Sequence, residues 1–216
     1  MKLIVVRNNY PLTSLNNNEI SIYTLPDTAI IKDNKPFFIP DFANPCTIEG
    51  HLIVRICRLG RSISERFAHR YYDAISVGAT FKAENLLTEY IEKGQPWDLA
   101  VGFDGAAPVG KFMPLYEEIT HNNDSTDDLG VNTHFKPLSQ NISFTIKKNN
   151  ETIFESRAKD QINHIDKIIA HISKHYTLRQ GDIIFTGCPA KGVSVNVNDH
   201  IEGFINQQKV LRFNIK

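Results

Sequence analysis

Short apolar runs that end at turn-forming residues recur along the whole chain, and they outnumber the segments with helical periodicity. Met1–Val6 is one such run, residues 20–40 hold several between prolines, and residues 51–57 make another. Residues 142–154, ISFTIKKNNETIF, have the alternation of a β-hairpin. Strands that do not alternate regularly with helices argue against repeated βαβ units. We therefore predict a β-rich α+β fold with a large mixed or antiparallel sheet system.

Three segments have the spacing of helices. Ser62 and Glu65 form an S-I-S-E capping-box pattern, which predicts a helix start that continues through FAHRYYD. Apolar spacing over residues 83–91 predicts a second helix, with Gly94 closing it. The third predicted helix carries one apolar stripe, formed by Ile165, Ile168, Ile169, Ile172 and Tyr176.

The composition of the chain limits the kinds of ligand and binding partner that we expect. With 216 residues, of which 41% are hydrophobic, the chain suits a single domain over residues 1–216 with a substantial core. Lys plus Arg and Asp plus Glu are 24 each, so no net field favours nucleic acid or an anionic membrane. Three cysteines without a C-x-x-C pair suit a reduced cytoplasm. The opening MKLIVV is too short for a signal peptide or a membrane span. We expect a cytoplasmic protein with small-molecule or protein ligands.

Glu49 and His51 stand two positions apart within the apolar segment TIEGHLIV, residues 47–54. Alternate residues of a strand point to the same face, so the two side chains should share one face. Carboxylate and imidazole groups both bind metal ions, which allows this pair to belong to an ion site. The residues alone leave a second interpretation open, in which both are polar residues on an exposed strand face.

Other residues capable of chemistry are scattered along the chain. Cys188 allows a nucleophile interpretation, with His134, His164 or His171 as the base, although a small buried cysteine is the commoner case. His171 and His175 have a spacing that can chelate zinc on a helix. A third ligand is not evident near them in the sequence, so a solvated helix face is the alternative.

Five stretches of the chain carry a resemblance to a known family. They are VVRNNY, LPDTAIIKDNKPFFIP, VRICRLGRSISERFAHRYYDAISVG, GQPWDLAVGFDGAAPVG and LRQGDIIFTGCPAKGV. In this order and spacing, from Val5 to near the C-terminus, they resemble the fumarylacetoacetate hydrolase (FAH) family, in its acylpyruvase and oxaloacetate decarboxylase-like branch.

The resemblance implies a β-rich α+β fold, commonly a homodimer, and a divalent ion that is usually Mg²⁺ or Mn²⁺. Family members cleave or rearrange carbon–carbon bonds in 2-oxo acids such as acylpyruvates, or decarboxylate oxaloacetate-like compounds. A hard cation chelated by the carboxylate and ketone oxygens polarises the carbonyl and stabilises an enolate leaving group. The implied ligand is therefore a small 2-oxo acid-like molecule.

The residues at the family's functional positions depart from its pattern. The family binds its ion through Glu-x-Glu on one strand and an Asp on the next turn, and the resemblance places Glu49, His51 and Thr80 at these positions. One carboxylate of three remains, which predicts weak metal binding or none. Three family cations and one threonine are also replaced, by Leu25, Glu84, Val101 and Cys188.

Two loops bear on this site. The family's acid/base lid follows its Asn-Tyr motif, whereas Asn9 and Tyr10 are followed here by an Asn-rich connection that we interpret as shortened. A replacement metal ligand from the acidic loop at residues 121–128 is a further alternative. The candidates in that loop are Asp124, Asp127 and Asp128.

Three hypotheses follow. In the first, the chain is an FAH-family protein whose metal-dependent activity is lost or severely reduced. In the second, it is a divergent enzyme in which Glu49 and His51 hold a different ion for a different substrate. In the third, it is a non-catalytic binding or scaffold partner of an active relative.

Overall fold

The computed structural model describes residues 1–11, 19–117, 134–135 and 138–216. The α-helices within them are α1 (Glu84–Glu92), α2 (Asp98–Val101) and α3 (Ile165–His175). The strands are β1 (Leu3–Arg7), β2 (Ser21–Leu25), β3 (Ile30–Ile31), β4 (Cys46–Ile56), β5 (Tyr72–Ala83), β6 (Ala107–Pro108), β7 (Met113–Pro114), β8 (Tyr116–Glu117), β9 (His134–Phe135), β10 (Ser143–Lys148), β11 (Glu151–Arg157), β12 (Ile183–Phe185), β13 (Val193–Ser194), β14 (His200–Ile205) and β15 (Gln208–Asn214). Most of the connection after Tyr10, at residues 12–18, and the acidic loop at 121–128 lie outside the described residues.

The largest sheet has seven strands, in the order β2-β1-β12-β4-β5-β7, with β13 paired to β4 beside this path. Strands β1 and β12 run parallel, and the other pairs are antiparallel. The long pair of β4 and β5 forms its centre, with a register that runs from Cys46 opposite Ala83 to Ile56 opposite Tyr72. Almost every residue of both strands is buried, because both faces of this pair are covered. Polar side chains in β4 and β5 are therefore largely shielded from water.

A second, antiparallel sheet, in the order β11-β10-β14-β15, packs against the first. The two sheets approach closely at Gly50 in β4, where a Cβ atom would lie 2.5 Å from Ile146 Cδ1 and 2.7 Å from Phe154 Cδ2. Glycine at this position lets β10 and β11 approach the backbone of β4 directly. Two short pairs complete the sheets, β3 with β6 in parallel and β8 with β9 in antiparallel arrangement.

This arrangement confirms the predicted fold class, a β-rich α+β fold with mixed and antiparallel sheets. The predicted hairpin is also present, because β10 and β11 are joined at Asn149 and Asn150, whose φ angles of 51° and 71° are left-handed. Asparagine adopts this region more readily than most residues, which suits a tight turn.

The prediction of a helix capped by Ser62 is wrong. The chain instead forms a six-residue 3₁₀ helix, Glu65–Arg70, preceded by Ser64. Ser62 has a φ of 51°, and its N–H donates to the Ser173 carbonyl of α3 at 2.8 Å. This tertiary contact holds the segment in a conformation that cannot start a helix.

The other two predicted helices are present as α1 and α3, and the short helix α2 was not predicted. Gly94 follows α1 with a φ of 62°, as a closing glycine should. Tyr176 lies beyond the end of α3 and is 38% exposed, so it is not part of the buried stripe. No helix within the described residues is long and apolar enough to cross a bilayer.

Candidate functional site

Strands β4 and β5 bring Glu49, His51 and Thr80 together at the centre of the main sheet. Glu49 pairs directly with Thr80, and His51 pairs with Gly78. Because Gly50 faces the second sheet, its two neighbours face the opposite side. The predicted shared face is therefore present. The alternative of an exposed strand face is wrong, since His51 is 1% exposed and the Glu49 side chain is 20% exposed.

His51 forms a buried contact with Thr80 and stays neutral. Its Nε2 lies 3.0 Å from Thr80 Oγ1, and the Phe185 ring packs edge-on against the imidazole at 5.5 Å between ring centres. Burial, together with the nearby charge of Lys82, lowers the pKa of His51 to about 3. The other ring nitrogen, Nδ1, has no hydrogen-bond partner within the part of the chain that the structure describes.

Lys82 belongs to this site, although it was not among the candidates predicted from the sequence. Its Nζ donates to Glu49 Oε1 at 2.5 Å, and its side chain is 8% exposed. In register, Lys82 pairs with Thr47, so Glu49 is its diagonal neighbour on the same face. The two-residue alternation from Thr80 to Lys82 is the sequence signal that could have found it. The Glu49 carboxylate is thus already paired with a buried ammonium group.

A pocket of about 320 Å³ reaches Glu49. Arg7, Tyr10, Cys188 and Lys191 contribute to its wall. The Arg7 guanidinium group also lies 5.7 Å from the centre of the Trp97 ring, in cation–π geometry, which holds this charge near the pocket. Because Glu49 is paired with Lys82, the two basic side chains in the wall favour an anionic ligand.

A buried hydrogen-bond chain ties the Asn-Tyr segment to the main sheet. Gln161 Nε2 donates to Tyr10 Oη at 3.1 Å and to Thr186 Oγ1 at 2.7 Å. Thr186 Oγ1 in turn donates to the Leu52 carbonyl at 2.8 Å. Burial raises the pKa of Tyr10 to about 12, so this residue presents a neutral hydroxyl to the pocket. Gln161 has no sequence motif around it, and the tertiary structure alone reveals its role.

Cys188 lines the pocket, but its chemistry opposes the nucleophile interpretation. Burial raises the pKa of its thiol to about 12, whereas a nucleophilic cysteine needs a lowered pKa. His164 Nδ1 accepts from the Lys167 N–H at 3.3 Å at the start of α3. The side chain of His134, another candidate base, lies outside the described residues.

His171 and His175 pack against each other on α3, with ring centres 5.3 Å apart. Within the described ranges, no group of three or more His, Cys, Asp or Glu side chains is placed to hold a metal ion.

The remaining candidate positions contribute no positive charge to the site. Leu25, at the end of β2, is 4% exposed, and Val101, at the end of α2, is 3% exposed, so both are core residues. Glu84 begins α1 and accepts a hydrogen bond from Thr47 Oγ1 at 2.7 Å. The structure therefore brings Glu49, His51 and Thr80 together on one face of the sheet, places Glu49 and Cys188 in the pocket wall, and places Leu25 and Val101 in the core.

Comparison with known proteins identifies the family. Residues 6–216 match the family described as Fumarylacetoacetate (FAA) hydrolase C-terminal. The chain belongs to the fumarylacetoacetate hydrolase family. The predicted family membership is confirmed, and the match covers nearly the whole chain.

Several FAH-family relatives are named as oxaloacetate tautomerases. The mitochondrial oxaloacetate tautomerase FAHD1 of Bos taurus is 30% identical over 200 residues, which are 92% of this chain and 82% of the relative. The oxaloacetate tautomerase YcgM of Escherichia coli K12 is 25% identical over 193 residues, which are 87% of this chain and 80% of the relative. The predicted branch was acylpyruvase and oxaloacetate decarboxylase-like, whereas these relatives are named for tautomerisation of oxaloacetate, so they support an oxaloacetate tautomerase-like branch.

Solved FAH-family structures share the fold along the whole chain. A fumarylacetoacetate hydrolase family protein from Yersinia pestis CO92 superimposes with a TM-score of 0.81 at 26% identity, covering 100% of this chain and 92% of the other. The fumarylpyruvate hydrolase of Pseudomonas aeruginosa, solved with Mn²⁺ and pyruvate, superimposes with a TM-score of 0.82 at 18% identity, covering 100% and 89%. The second likeness shows the fold alone.

Proposed function

We propose that this FAH-family protein binds a small 2-oxo acid-like anion in the Glu49 pocket but has lost, or nearly lost, the family's metal-dependent turnover. The observation that carries the proposal is the ion pair between Glu49 and Lys82, with Oε1 and Nζ 2.5 Å apart. The carboxylate at the first family ligand position is engaged by an ammonium group, and the other two positions hold His51 and Thr80.

The chemistry of this donor set does not fit Mg²⁺ or Mn²⁺. Hard divalent ions are held mainly by carboxylate, carbonyl and water oxygens. Here His51 and Thr80 are engaged with each other at 3.0 Å, and the surrounding burial disfavours any added charge that the site does not neutralise. We therefore derive no catalytic step through a metal ion in this chain.

The positions that supply cations in the family pattern also support a loss of turnover. Leu25 and Val101 pack in the core, and Glu84 carries the opposite charge. Removal of a single group that stabilises developing negative charge commonly slows an enzyme by about a hundredfold or more. This chain replaces three positively charged family positions and also changes the metal-ligand set, which supports a severe loss of catalytic rate.

The pocket itself supports retained binding. Arg7 and Lys191 offer two cations to a carboxylate, and Tyr10 offers a neutral hydroxyl. In the P. aeruginosa relative, the ligand solved with Mn²⁺ is pyruvate. A 2-oxo acid held here would be recognised by side chains of this chain and not by chelation to an ion.

One observation favours the alternative of a divergent enzyme with a different ion. His51 Nδ1 is buried without a hydrogen bond of normal geometry within the described residues, although the Gly187 backbone interacts with the ring and raises its pKa, and an imidazole nitrogen is a ligand for softer ions such as Zn²⁺. Metal analysis of the purified protein and of His51→Ala separates the two. Stoichiometric zinc that disappears in His51→Ala would favour the alternative.

The decisive experiment measures turnover of acylpyruvates and of oxaloacetate in Mg²⁺ or Mn²⁺, and again with EDTA. E. coli YcgM, treated identically, serves as the reference relative. We expect no chelator-sensitive turnover above background, while calorimetry detects pyruvate or oxalate binding that EDTA does not change. Chelator-sensitive turnover at an ordinary enzymatic rate would refute the proposal.

The assembly and location of the protein are also proposals. Family resemblance suggests a homodimer, and the reduced-type cysteine usage suggests the cytoplasm. Light scattering coupled to size exclusion tests the dimer, and fractionation tests the location. Co-purification with an active FAH-family relative in a mixed dimer would instead favour a scaffold role.

A further inference from the structure

We propose that the Lys82 ammonium group replaces the divalent ion of the family as a cation built into the chain. Lys82 Nζ lies 2.5 Å from Oε1 of Glu49, the carboxylate that survives at the family ligand positions. The inference concerns the same site as the proposed function, and it rests on that proposal for the assignment of Glu49 as a former ion ligand. It adds that the site is occupied by a competing charge and is not merely short of ligands.

Strand geometry explains how Lys82 reaches this place. Strand β5 presents Thr80 and Lys82 on one face, and Thr80 lies directly opposite Glu49. Lys82 lies one pair further along, opposite Thr47. Diagonal positions of an antiparallel pair are about 7–8 Å apart, a distance that the four-carbon lysine side chain spans.

The surroundings leave Glu49 as the counter-charge of Lys82. Thr47 Oγ1 is directed to the second nearby carboxylate, Glu84, at 2.7 Å. His51 and Thr80 contact each other at 3.0 Å. The Lys82 side chain is 8% exposed, so it depends on Glu49 for compensation in place of water.

A tethered ammonium competes with dissolved ions on favourable terms. Its effective concentration at Glu49 is set by the length of the side chain and not by the ion content of the solution. An incoming ion would have to displace a desolvated, hydrogen-bonded charge, which would then lie unpaired in a buried position. Restoring the missing carboxylates alone should therefore be insufficient to restore strong ion binding.

The test measures Mn²⁺ binding by electron paramagnetic resonance and calorimetry in four proteins. They are the wild type, Lys82→Met, the double variant His51→Glu/Thr80→Asp, and the triple variant that combines all three changes. We expect no saturable binding by the wild type and weak binding by the double variant. The triple variant should bind at least about tenfold more tightly than the double variant, because the competing cation is gone.

The matched control is Lys93→Met in the double-variant background. Lys93, directly after α1, is paired with Glu89 at 2.6 Å, and both side chains are exposed, so the same chemical change is made away from the site. It should leave Mn²⁺ affinity unchanged. Equal affinity of the double and triple variants would overturn the proposal, and so would saturable Mn²⁺ binding by the wild type.

Folding of the carboxylate-rich variants is followed by circular dichroism with and without Mn²⁺. Ion-dependent folding of the triple variant, at lower Mn²⁺ than the double variant needs, would support the proposal. If neither variant folds, the wild type decides by NMR. Millimolar Mn²⁺ should leave the amide signals of residues 79–83 unbroadened, and selective broadening there would refute the proposal.

The two proposals of this site fail in different ways. Failure of the wild type to bind pyruvate or oxalate would refute the proposed function and leave the role of Lys82 intact. Equal Mn²⁺ affinity with and without Lys82 would refute the built-in cation and leave the absence of turnover intact.

Discussion

Asn9 and Asn163 hydrogen-bond to each other in both directions. Asn9 Nδ2 donates to the Asn163 carbonyl at 3.0 Å, and the Asn163 N–H donates to Asn9 Oδ1 at 2.8 Å. Asn9 Nδ2 also donates to the Thr186 carbonyl at 2.8 Å, and Asn9 is fully buried. One amide therefore joins the segment after β1, the segment before α3 and the residue after β12.

Asn9→Ala should destabilise the protein by about 2–4 kcal/mol, because it leaves buried backbone groups without partners. Denaturant unfolding measures the change. Asn141→Ala, at an exposed position, is the control and should change stability by less than about 0.5 kcal/mol. Equal effects of the two substitutions would contradict a structural role for the Asn-Tyr segment.

Gly50→Ala should destabilise the protein by about 1–3 kcal/mol, because the added methyl group meets Ile146 and Phe154 of the second sheet. Gly192→Ala is the matched control. The added Cβ atom would lie 3.2 Å from Thr47 Oγ1, the nearest atom to it. We expect a smaller effect there. Thermal unfolding of both variants tests the difference, and Ile146→Val in the Gly50→Ala background should recover part of the loss.

Much of the fold could be predicted because local signals agreed with the tertiary structure. The turn at Asn149 and Asn150, the apolar stripe of α3 and the shared face of Glu49 and His51 each follow from a short periodic pattern. The failed helix start at Ser62 shows the limit. The S-I-S-E sequence has the residues of a capping box, but a backbone contact to Ser173 fixes Ser62 in a left-handed conformation.

The site could be predicted only in part, for a similar reason. The alternation of Thr80 and Lys82 places both on one face of a strand, but the partner of Lys82, Glu49, is 33 residues away in sequence. The pairing depends on the register between β4 and β5, which no local pattern specifies. Gln161 and Thr186, which hold Tyr10 at the pocket, are likewise joined by tertiary structure alone.

His51 should remain neutral over the whole physiological range. Its pKa of about 3 in the folded state lies below the value of about 6.5 for a free histidine, so its imidazole NMR signals should not titrate between pH 8 and 5. Between these two values the unfolded state binds more protons, so stability falls as the pH decreases from about 6.5 towards 3.

His51→Gln removes this titration and should flatten the decline. Between pH 6.5 and 4.5 the wild type should lose about 2 kcal/mol more stability than the variant, as measured by denaturant unfolding at each pH. Parallel curves of stability against pH for the two proteins would show that His51 does not contribute to this pH dependence.

Cys188 should react slowly with iodoacetamide in the native protein. With a thiol pKa of about 12, only about one side chain in ten thousand is ionised at pH 8, and the thiolate is the reactive form. Peptide mapping after timed alkylation gives the rate, with urea-unfolded protein as the reference. Alkylation of Cys188 at the unfolded rate would reopen the nucleophile interpretation.

Glu49 and Lys82 should show strong coupling in a double-mutant cycle. Lys82→Met leaves a carboxylate and Glu49→Gln leaves a buried ammonium without a counter-charge, so each should cost about 2–4 kcal/mol. The double variant Glu49→Gln/Lys82→Met buries neither charge and should lie within about 1 kcal/mol of the wild type. The matched cycle on Glu89 and Lys93, with side chains 47% and 57% exposed, should give a coupling below about 0.5 kcal/mol. Additive effects of the two substitutions at the Glu49 site would mean that Lys82 is not the cation that stabilises this carboxylate.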